Sequence, residues 1–198
     1  MKEITVNNLL RGQHCEVNNP LKGLVIGNRI PKDYFIINGT GESDITIHAG
    51  SYHLALKNAG IERANIITYS SILPAISQKI NKPESYVHGS VMETIMAVSH
   101  GNSGETVSAG IIYGWLYNRK SREKYGGIVC EHNGSYSLTE LEDKLHASLK
   151  ELYYNGFEEE YSLGEAEIIK ESFVPMKKYG TALVGMCFVN YVYPVYES

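Results

Sequence analysis

Two adjacent hydroxyl side chains, Ser70 and Ser71, end a run of β-forming residues. Pro74 follows three residues after Ser71. Ile66, Ile67 and Tyr69 predict a mostly buried strand over residues 65–71. A Ser-Ser pair at a strand end has two interpretations. Either each hydroxyl caps a backbone group, or Ser71 is a nucleophile that attacks the carbonyl carbon of Ser70 and cleaves its own chain.

Composition excludes several classes of function. The 198 residues predict one domain with a real core, and the net charge of −4 comes without a dense Lys/Arg cluster, which argues against nucleic-acid binding. Cys15, Cys130 and Cys187 are widely spaced with no C-x-x-C, so we expect neither disulfides nor structural zinc, and a reducing cytoplasm fits. The histidine spacing matches no metal-ligand motif. Because no apolar run reaches about 18 residues, we expect no membrane span.

The elements that must position these serines follow from periodicity and turn signals. The clearest helix begins at the capping box Ser137–Glu140, carries a stripe of leucines and ends at Gly156. A second helix is predicted for residues 51–59, closed by Gly60. Strands are predicted at residues 24–26, 33–37, 65–71, 86–98, 105–117, 126–132, 165–173 and 181–192, with a loop at 75–85. The pattern predicts a single-domain α+β fold, an αββα-like sandwich of mostly antiparallel sheet covered by helices.

Several motifs in fixed order carry a family resemblance. They are Asn58-Ala59-Gly60-Ile61, Asn65 followed five residues later by Ser70-Ser71-Ile72-Leu73-Pro74, His88-Gly89-Ser90-Val91, Gly104-Glu105-Thr106-Val107-Ser108-Ala109, Gly127-Ile128-Val129-Cys130-Glu131 and Lys178-Tyr179-Gly180. With these, the chain resembles the pyruvoyl-dependent arginine decarboxylase family over roughly residues 34 to 193. Residues 1–33 have no counterpart in the short archaeal members, so we treat them as an N-terminal extension before a decarboxylase domain at 34–198.

The resemblance implies a self-processed zymogen. Ser71 Oγ would attack the Ser70 carbonyl to give an ester, and elimination and hydrolysis would leave a pyruvoyl group on residue 71. The products would be a β chain of residues 1–70 and an α chain of residues 71–198. The pyruvoyl cofactor would form a Schiff base with the amine of an amino acid and withdraw electrons as CO2 leaves. L-Arginine, giving agmatine, is the default substrate implied.

The resemblance also assigns two further catalytic residues. Asn65 matches an amide that stabilises the oxyanion during self-cleavage, an interaction worth about 3–4 kcal/mol. Glu131 matches the proton donor, and burial beside Val129 and Cys130 would raise the pKa of its carboxyl group and keep it protonated. Without the resemblance, Asn65 would be interpreted as a cap at a strand edge, and Glu131 as an ordinary exposed glutamate at the end of a strand.

The expected substrate pocket departs from the family pattern at His53. Arginine-using members carry an Asp there, before the Asn-Ala-Gly turn, to pair with the guanidinium. A neutral histidine cannot form that bidentate, charge-assisted pair, and a protonated one repels the substrate. Either Asp44 or Glu42 has taken over, or the substrate is a neutral or acidic amino acid, or His53 has no role. The substrate-binding residues predicted are His53, Leu56, Asp44 and Ile72.

The family further implies a trimer of αβ units with active sites between protomers. A hypothesis from another class is a relative that no longer cleaves itself and serves as a binding or assembly subunit. One intact species on a denaturing gel would favour that hypothesis, and two fragments would favour the enzyme.

Overall fold

Segments rich in β-branched and aromatic residues pair into two stacked sheets. A computed structural model describes residues 25–196, of which residues 29–192 form one α+β unit. Its strands are β2 (Ile30–Ser43), β3 (Asn65–Thr68), β4 (Ile72–Pro74), β5 (Gln78–Lys79), β6 (Val91–Asn102), β7 (Val107–Asn118), β8 (Lys124–Gly134), β9 (Tyr161–Phe173) and β10 (Tyr179–Val192). The helices are a π-helix (Ile47–Tyr52), α1 (His53–Ala59) and α2 (Leu138–Gly156).

The two sheets differ in strand direction. The first sheet has the order β3-β6-β10-β2-β5, with β3 parallel to β6, β5 parallel to β2 and the other pairs antiparallel. The second sheet has the order β4-β8-β7-β9 and is antiparallel throughout. Because β3 and β4 are edge strands of different sheets, the short segment between them crosses from one sheet to the other.

Three apolar layers alternate with the sheets. The inner layer lies between them and includes Ile95, Ile111, Val129 and Val184. An outer layer buries the other face of the first sheet under α1, and another buries the outer face of the second sheet under α2. Adjacent residues of one strand alternate between layers, since side chains in a strand point to opposite faces. The predicted αββα-like, single-domain α+β sandwich is confirmed.

Both predicted helices are present. Ser137 accepts a hydrogen bond from the Glu140 amide, so the capping box that starts α2 forms as predicted, and Leu141, Leu145 and Leu149 are buried. The shorter helix ends at Gly60, which is left-handed (φ 73°). It starts earlier than predicted, because the π-helix at residues 47–52 runs directly into α1.

Several predicted strand and loop bounds differ from the structure: the strand predicted at residues 33–37 is part of the longer β2, and the predicted loop at 75–85 contains β5. The segment before the serines was expected to be mostly buried and to run to Ser71. Instead β3 ends at Thr68 and is largely exposed, because it lies at a sheet edge with a partner on one side only. The strand predicted from Tyr86 begins at Val91, since Ser90 donates its amide to Val87 O (3.0 Å) in a turn that contains Gly89 at φ 81°.

The ends of the described chain form a separate small unit. β1 (Val25–Ile26) pairs antiparallel with β11 (Val195–Tyr196), which matches the described part of the strand predicted at residues 24–26. Cys15 and most of the predicted extension lie outside the described residues, and the extension boundary stays a prediction. No helix within residues 25–196 is long and apolar enough to cross a membrane.

Candidate active site

The Ser70–Ser71 bond lies in the crossover between the sheets. β3 pairs with β6 in the first sheet, and β4, which starts directly after Ser71, pairs with β8 in the second. Both flanking segments are therefore held by their own backbone hydrogen bonds. Cutting the chain at this bond would leave each new end attached to a different sheet, so cleavage does not require the fold to open.

Ser71 is strained and hydrogen-bonded at the same time. Its φ of 50° lies in the left-handed region, which costs a non-glycine residue about 1–2 kcal/mol. Such outliers concentrate at functional sites. The Ser71 carbonyl accepts a bond from the Val129 amide at 3.1 Å, and the Ser71 hydroxyl donates a short hydrogen bond to Glu131 Oε1. A hydroxyl that donates to a carboxylate has the geometry that a nucleophile needs beside its base.

Glu131 comes from the neighbouring strand β8. It lies opposite Ile111 in register, and strand alternation places it on the same inward face as Val129, in the layer between the sheets. Burial raises the pKa of the Glu131 carboxyl group above its usual value, and the hydrogen bond from Ser71 offsets part of that rise. Glu131 is therefore more readily protonated than an ordinary glutamate.

Asn65 does not reach the Ser70 carbonyl of its own chain. Its side-chain amide donates to Gly89 O at 2.7 Å, and its backbone amide donates to Ser90 O at 2.8 Å. Because β3 is extended, each residue advances by about 3.3 Å, which carries Asn65 away from Ser70. Within one chain Asn65 instead holds the 87–90 turn, so a direct role at the scissile bond would require a second copy.

The predicted substrate-binding residues fall into two groups. His53 and Leu56 line a surface cavity of about 420 Å³ together with His48, Ala49 and Tyr52, which we call the α1 bowl. Ile72 lies elsewhere, in a cleft of about 260 Å³ along β4 and β8. Its pairing with Ile128, a residue of the layer under α2, turns Ile72 away from the inward-facing Glu131.

Neither acid proposed to replace the missing Asp lines the α1 bowl. Glu42 Oε2 accepts the backbone amides of Met176 (2.8 Å) and Lys177 (3.3 Å), and Asp44 Oδ1 accepts that of Lys178 (3.2 Å). The two carboxylates therefore hold the turn that leads into β10. The prediction that Asp44 contacts the substrate has no support in these contacts.

A whole sheet separates the α1 bowl from Glu131 within one chain. Leu56 belongs to the outer layer under α1, whereas Leu73 and Val129, which flank the scissile bond and Glu131, belong to the inner layer. On β10, Leu183 faces the outer layer under α1, and the next residue, Val184, faces the inner layer. The groups lie on opposite faces of the first sheet and cannot contact one small substrate in the same chain.

Sequence reasoning missed two residues of the bowl. His48 and Tyr52 stack with their ring centroids 5.7 Å apart. Their spacing of four residues, continued by Leu56, is the signal that could have identified one helical face before position 53. Within the described residues, no group of three His, Cys, Asp or Glu side chains could hold a metal ion.

A serine at a strained crossover, with its hydroxyl bonded to a partly buried acid, is the arrangement expected of a self-processing class of protein. Among known families, the model for pyruvoyl-dependent arginine decarboxylase matches residues 33–193. The chain therefore belongs to the pyruvoyl-dependent arginine decarboxylase family.

Three relatives illustrate the similarity. The chain is 35% identical over 118 residues to the pyruvoyl-dependent arginine decarboxylase of Methanococcoides burtonii (52% of this chain, 64% of the relative). It is 34% identical over 109 residues to that of Methanopyrus kandleri (55% and 65%). It is 28% identical over 191 residues to the pyruvoyl-dependent arginine decarboxylase AaxB of Chlamydia caviae (83% and 94%). The chain thus spans slightly less than two thirds of the two archaeal relatives.

Proposed function

We propose that this chain is the precursor of a pyruvoyl-dependent amino-acid decarboxylase, a carboxy-lyase that cleaves itself between Ser70 and Ser71. The observation that carries the proposal is the hydrogen bond from the strained Ser71 to Glu131 at the crossover between the sheets. L-Arginine, which the names of the relatives specify, is the reference substrate, with agmatine and CO2 as products.

The first step uses Ser71 and Glu131 alone. Ser71 Oγ bonds to the Ser70 carbonyl carbon as its proton passes to Glu131, and the C–N bond between the two residues breaks as the nitrogen takes up a proton, which leaves an ester. Loss of the Ser71 Cα proton then expels the Ser70 carboxylate. Addition of water and release of ammonia leave the pyruvoyl group on residue 71, at the start of the α chain.

Glu131 has a second role after cleavage. A pyruvoyl group on residue 71 would supply the electron-withdrawing carbonyl that decarboxylation needs, and the substrate Cα would then need a proton. Ser71 lowers the Glu131 pKa while its hydroxyl is present. Cleavage removes that hydroxyl, so burial is then opposed only by a backbone hydrogen bond, and the carboxyl group stays protonated to a higher pH and is available to deliver the proton. The same residue serves as base before cleavage and as acid afterwards.

The complete site requires a second copy of the chain. The α1 bowl and the Ser71–Glu131 pair lie on opposite faces of the first sheet, so the bowl that binds the substrate side chain comes from a neighbouring protomer. This supports the trimer of αβ units that the family resemblance implies. The free thiols of Cys130 and Cys187 suit a reducing, cytoplasmic location.

Intact-mass analysis of the purified full-length chain tests the proposal. The 22.1 kDa chain should give fragments of about 8 kDa (residues 1–70) and about 14 kDa (residues 71–198), the larger with a carbonyl in place of its amino terminus. Release of ¹⁴CO2 from carboxyl-labelled amino acids measures the decarboxylation. A stable single species would instead support the assembly-subunit hypothesis.

A further inference from the structure

The α1 bowl contains hydrogen-bond donors and protonatable rings but no carboxylate. Its lining combines His48, Tyr52 and His53 with the aliphatic Leu56. His48 and His53 are both exposed. The π-helix that presents His48 and Tyr52 is a rare element that recurs at functional sites.

A third histidine supports the bowl from the adjacent sheet edge. His100 on β6 contacts the edge of Tyr52, with ring centroids 6.0 Å apart and planes at 82°. Its Nδ1 bonds to Thr181 Oγ1 at 2.8 Å, and Thr181 Oγ1 also bonds to Ser51 Oγ at 2.8 Å. This chain of contacts fixes the ring of His100 and, through Ser51, the turn that carries Tyr52.

The electrostatics of the bowl favour an anion. Burial lowers the pKa of His100, and the charge of His48 lowers it further, so these rings repel each other when both are protonated. A bound anion would favour the protonated form of His100, whereas a bound cation would disfavour it. Burial also raises the pKa of Tyr52, which keeps its hydroxyl a donor.

A guanidinium group suits this lining poorly. It is a cation with five N–H donors and no acceptor, and it is held best by a carboxylate that accepts two bonds at once. Imidazole and phenol offer no negative charge at neutral pH. The carboxylates of Glu42 and Asp44 already accept hydrogen bonds from the backbone amides of residues 176–178. The bowl therefore lacks the group that an arginine side chain requires.

We propose that the α1 bowl binds a side-chain carboxylate, so that the substrate is an acidic amino acid of the aspartate or glutamate type. The N–H groups of His48 and His53 and the Tyr52 hydroxyl donate to the carboxylate, and Leu56 packs against the short methylene chain. This assignment rests on the proposed decarboxylation and names its substrate class. It leaves the chemistry at Ser71 and Glu131 unchanged.

The first test compares substrates on the processed enzyme. Once intact mass has shown both fragments, kcat/KM for glutamate or aspartate should exceed that for arginine at least tenfold. The variant His53→Asp should reverse the ratio by restoring a carboxylate and adding like-charge repulsion. The matched control His146→Asp, an exposed histidine on α2 across the molecule, should leave the ratio unchanged. Preference of the wild type for arginine, or for glutamine over glutamate, would overturn the proposal.

The second test does not depend on processing. In the uncleaved full-length variant Ser71→Ala, the imidazole NMR signals of His48 and His53 should shift on titration with glutamate and not with arginine. No shift with glutamate, or an equal shift with arginine, would contradict the acidic substrate class. Failure of the wild type to cleave would instead refute the proposed function, so the two failures are distinguishable.

Discussion

The crossover at Ser70–Ser71 and the α1 bowl are two functional regions built on different principles. At the crossover, a strained backbone and one partly buried acid from the adjacent strand carry the proposed chemistry, and burial raises the pKa of Glu131. In the bowl, the proposed substrate specificity depends on side chains at a helix surface. Because a sheet lies between them in each chain, the reaction and its specificity can change independently. By the family resemblance, the motifs at the crossover are those expected, whereas His53 stands where an Asp was expected.

Removing the nucleophile tests the crossover with the largest expected effect. Ser71→Ala should abolish cleavage and leave a single 22.1 kDa species on a denaturing gel. Ser70→Ala is the matched control, since its carbonyl, and not its hydroxyl, is attacked, and it should still produce both fragments. Cleavage in Ser71→Ala would show that another residue is the nucleophile.

Mixing two inactive chains tests the separation of the regions. Ser71→Ala keeps the bowl but forms no pyruvoyl group, whereas His53→Trp fills the bowl but leaves Ser71 and Glu131 intact. Co-expressed chains should recover decarboxylation that neither variant has alone, because a neighbouring protomer supplies the missing part. If the co-expressed pair stays inactive although both chains co-purify, the site is not shared between copies.

Replacing the acid should slow processing without abolishing it. Glu131→Gln can still accept a hydrogen bond from Ser71 but cannot take its proton, and general-base catalysis typically contributes about 10²–10⁴-fold. The appearance of the 14 kDa fragment, followed by quenched time points and mass analysis, measures that rate. A rate within twofold of the wild type would remove Glu131 from the mechanism.

The two reactions should respond to pH in opposite directions. Self-cleavage needs the Glu131 carboxylate, so its rate rises with pH through the raised pKa of that group. Proton delivery during turnover needs the protonated carboxyl group, so that step slows as the pH rises through the pKa of Glu131. Single-turnover rates of purified precursor and of processed enzyme, measured from pH 5 to 9, compare the slopes. Parallel profiles would argue against the double role.

The smallest effect concerns the stability of the precursor. A raised pKa in the folded state means that ionised Glu131 destabilises the fold at pH values above it, a penalty that vanishes once acid protonates the group. In the uncleaved Ser71→Ala background, Glu131→Gln should therefore raise Tm near pH 7 and not near pH 4. Solvent reaches part of the carboxyl group, which limits the gain to about 2 °C. An equal gain at both pH values would attribute it to packing.

The sequence alone determined features that depend on neighbours within a few residues. The capping box and leucine stripe of α2, the Gly60 stop and the order of motifs around Ser70–Ser71 and Glu131 were readable because short spacings set them. The alternation of apolar residues also indicated two layers of sheet. These local signals were enough to predict the α+β sandwich, whereas cleavage between Ser70 and Ser71 stays a prediction that the family resemblance implies.

Tertiary structure decided how these parts relate to one another. Only long-range pairing made β3 an exposed edge strand, turned Asn65 toward Gly89 and committed Glu42 and Asp44 to the turn before β10. It also brought His48, Tyr52 and His100 together and separated them from Glu131 by a sheet. Strand order and sheet face depend on contacts between residues far apart in sequence, and no local pattern encodes them.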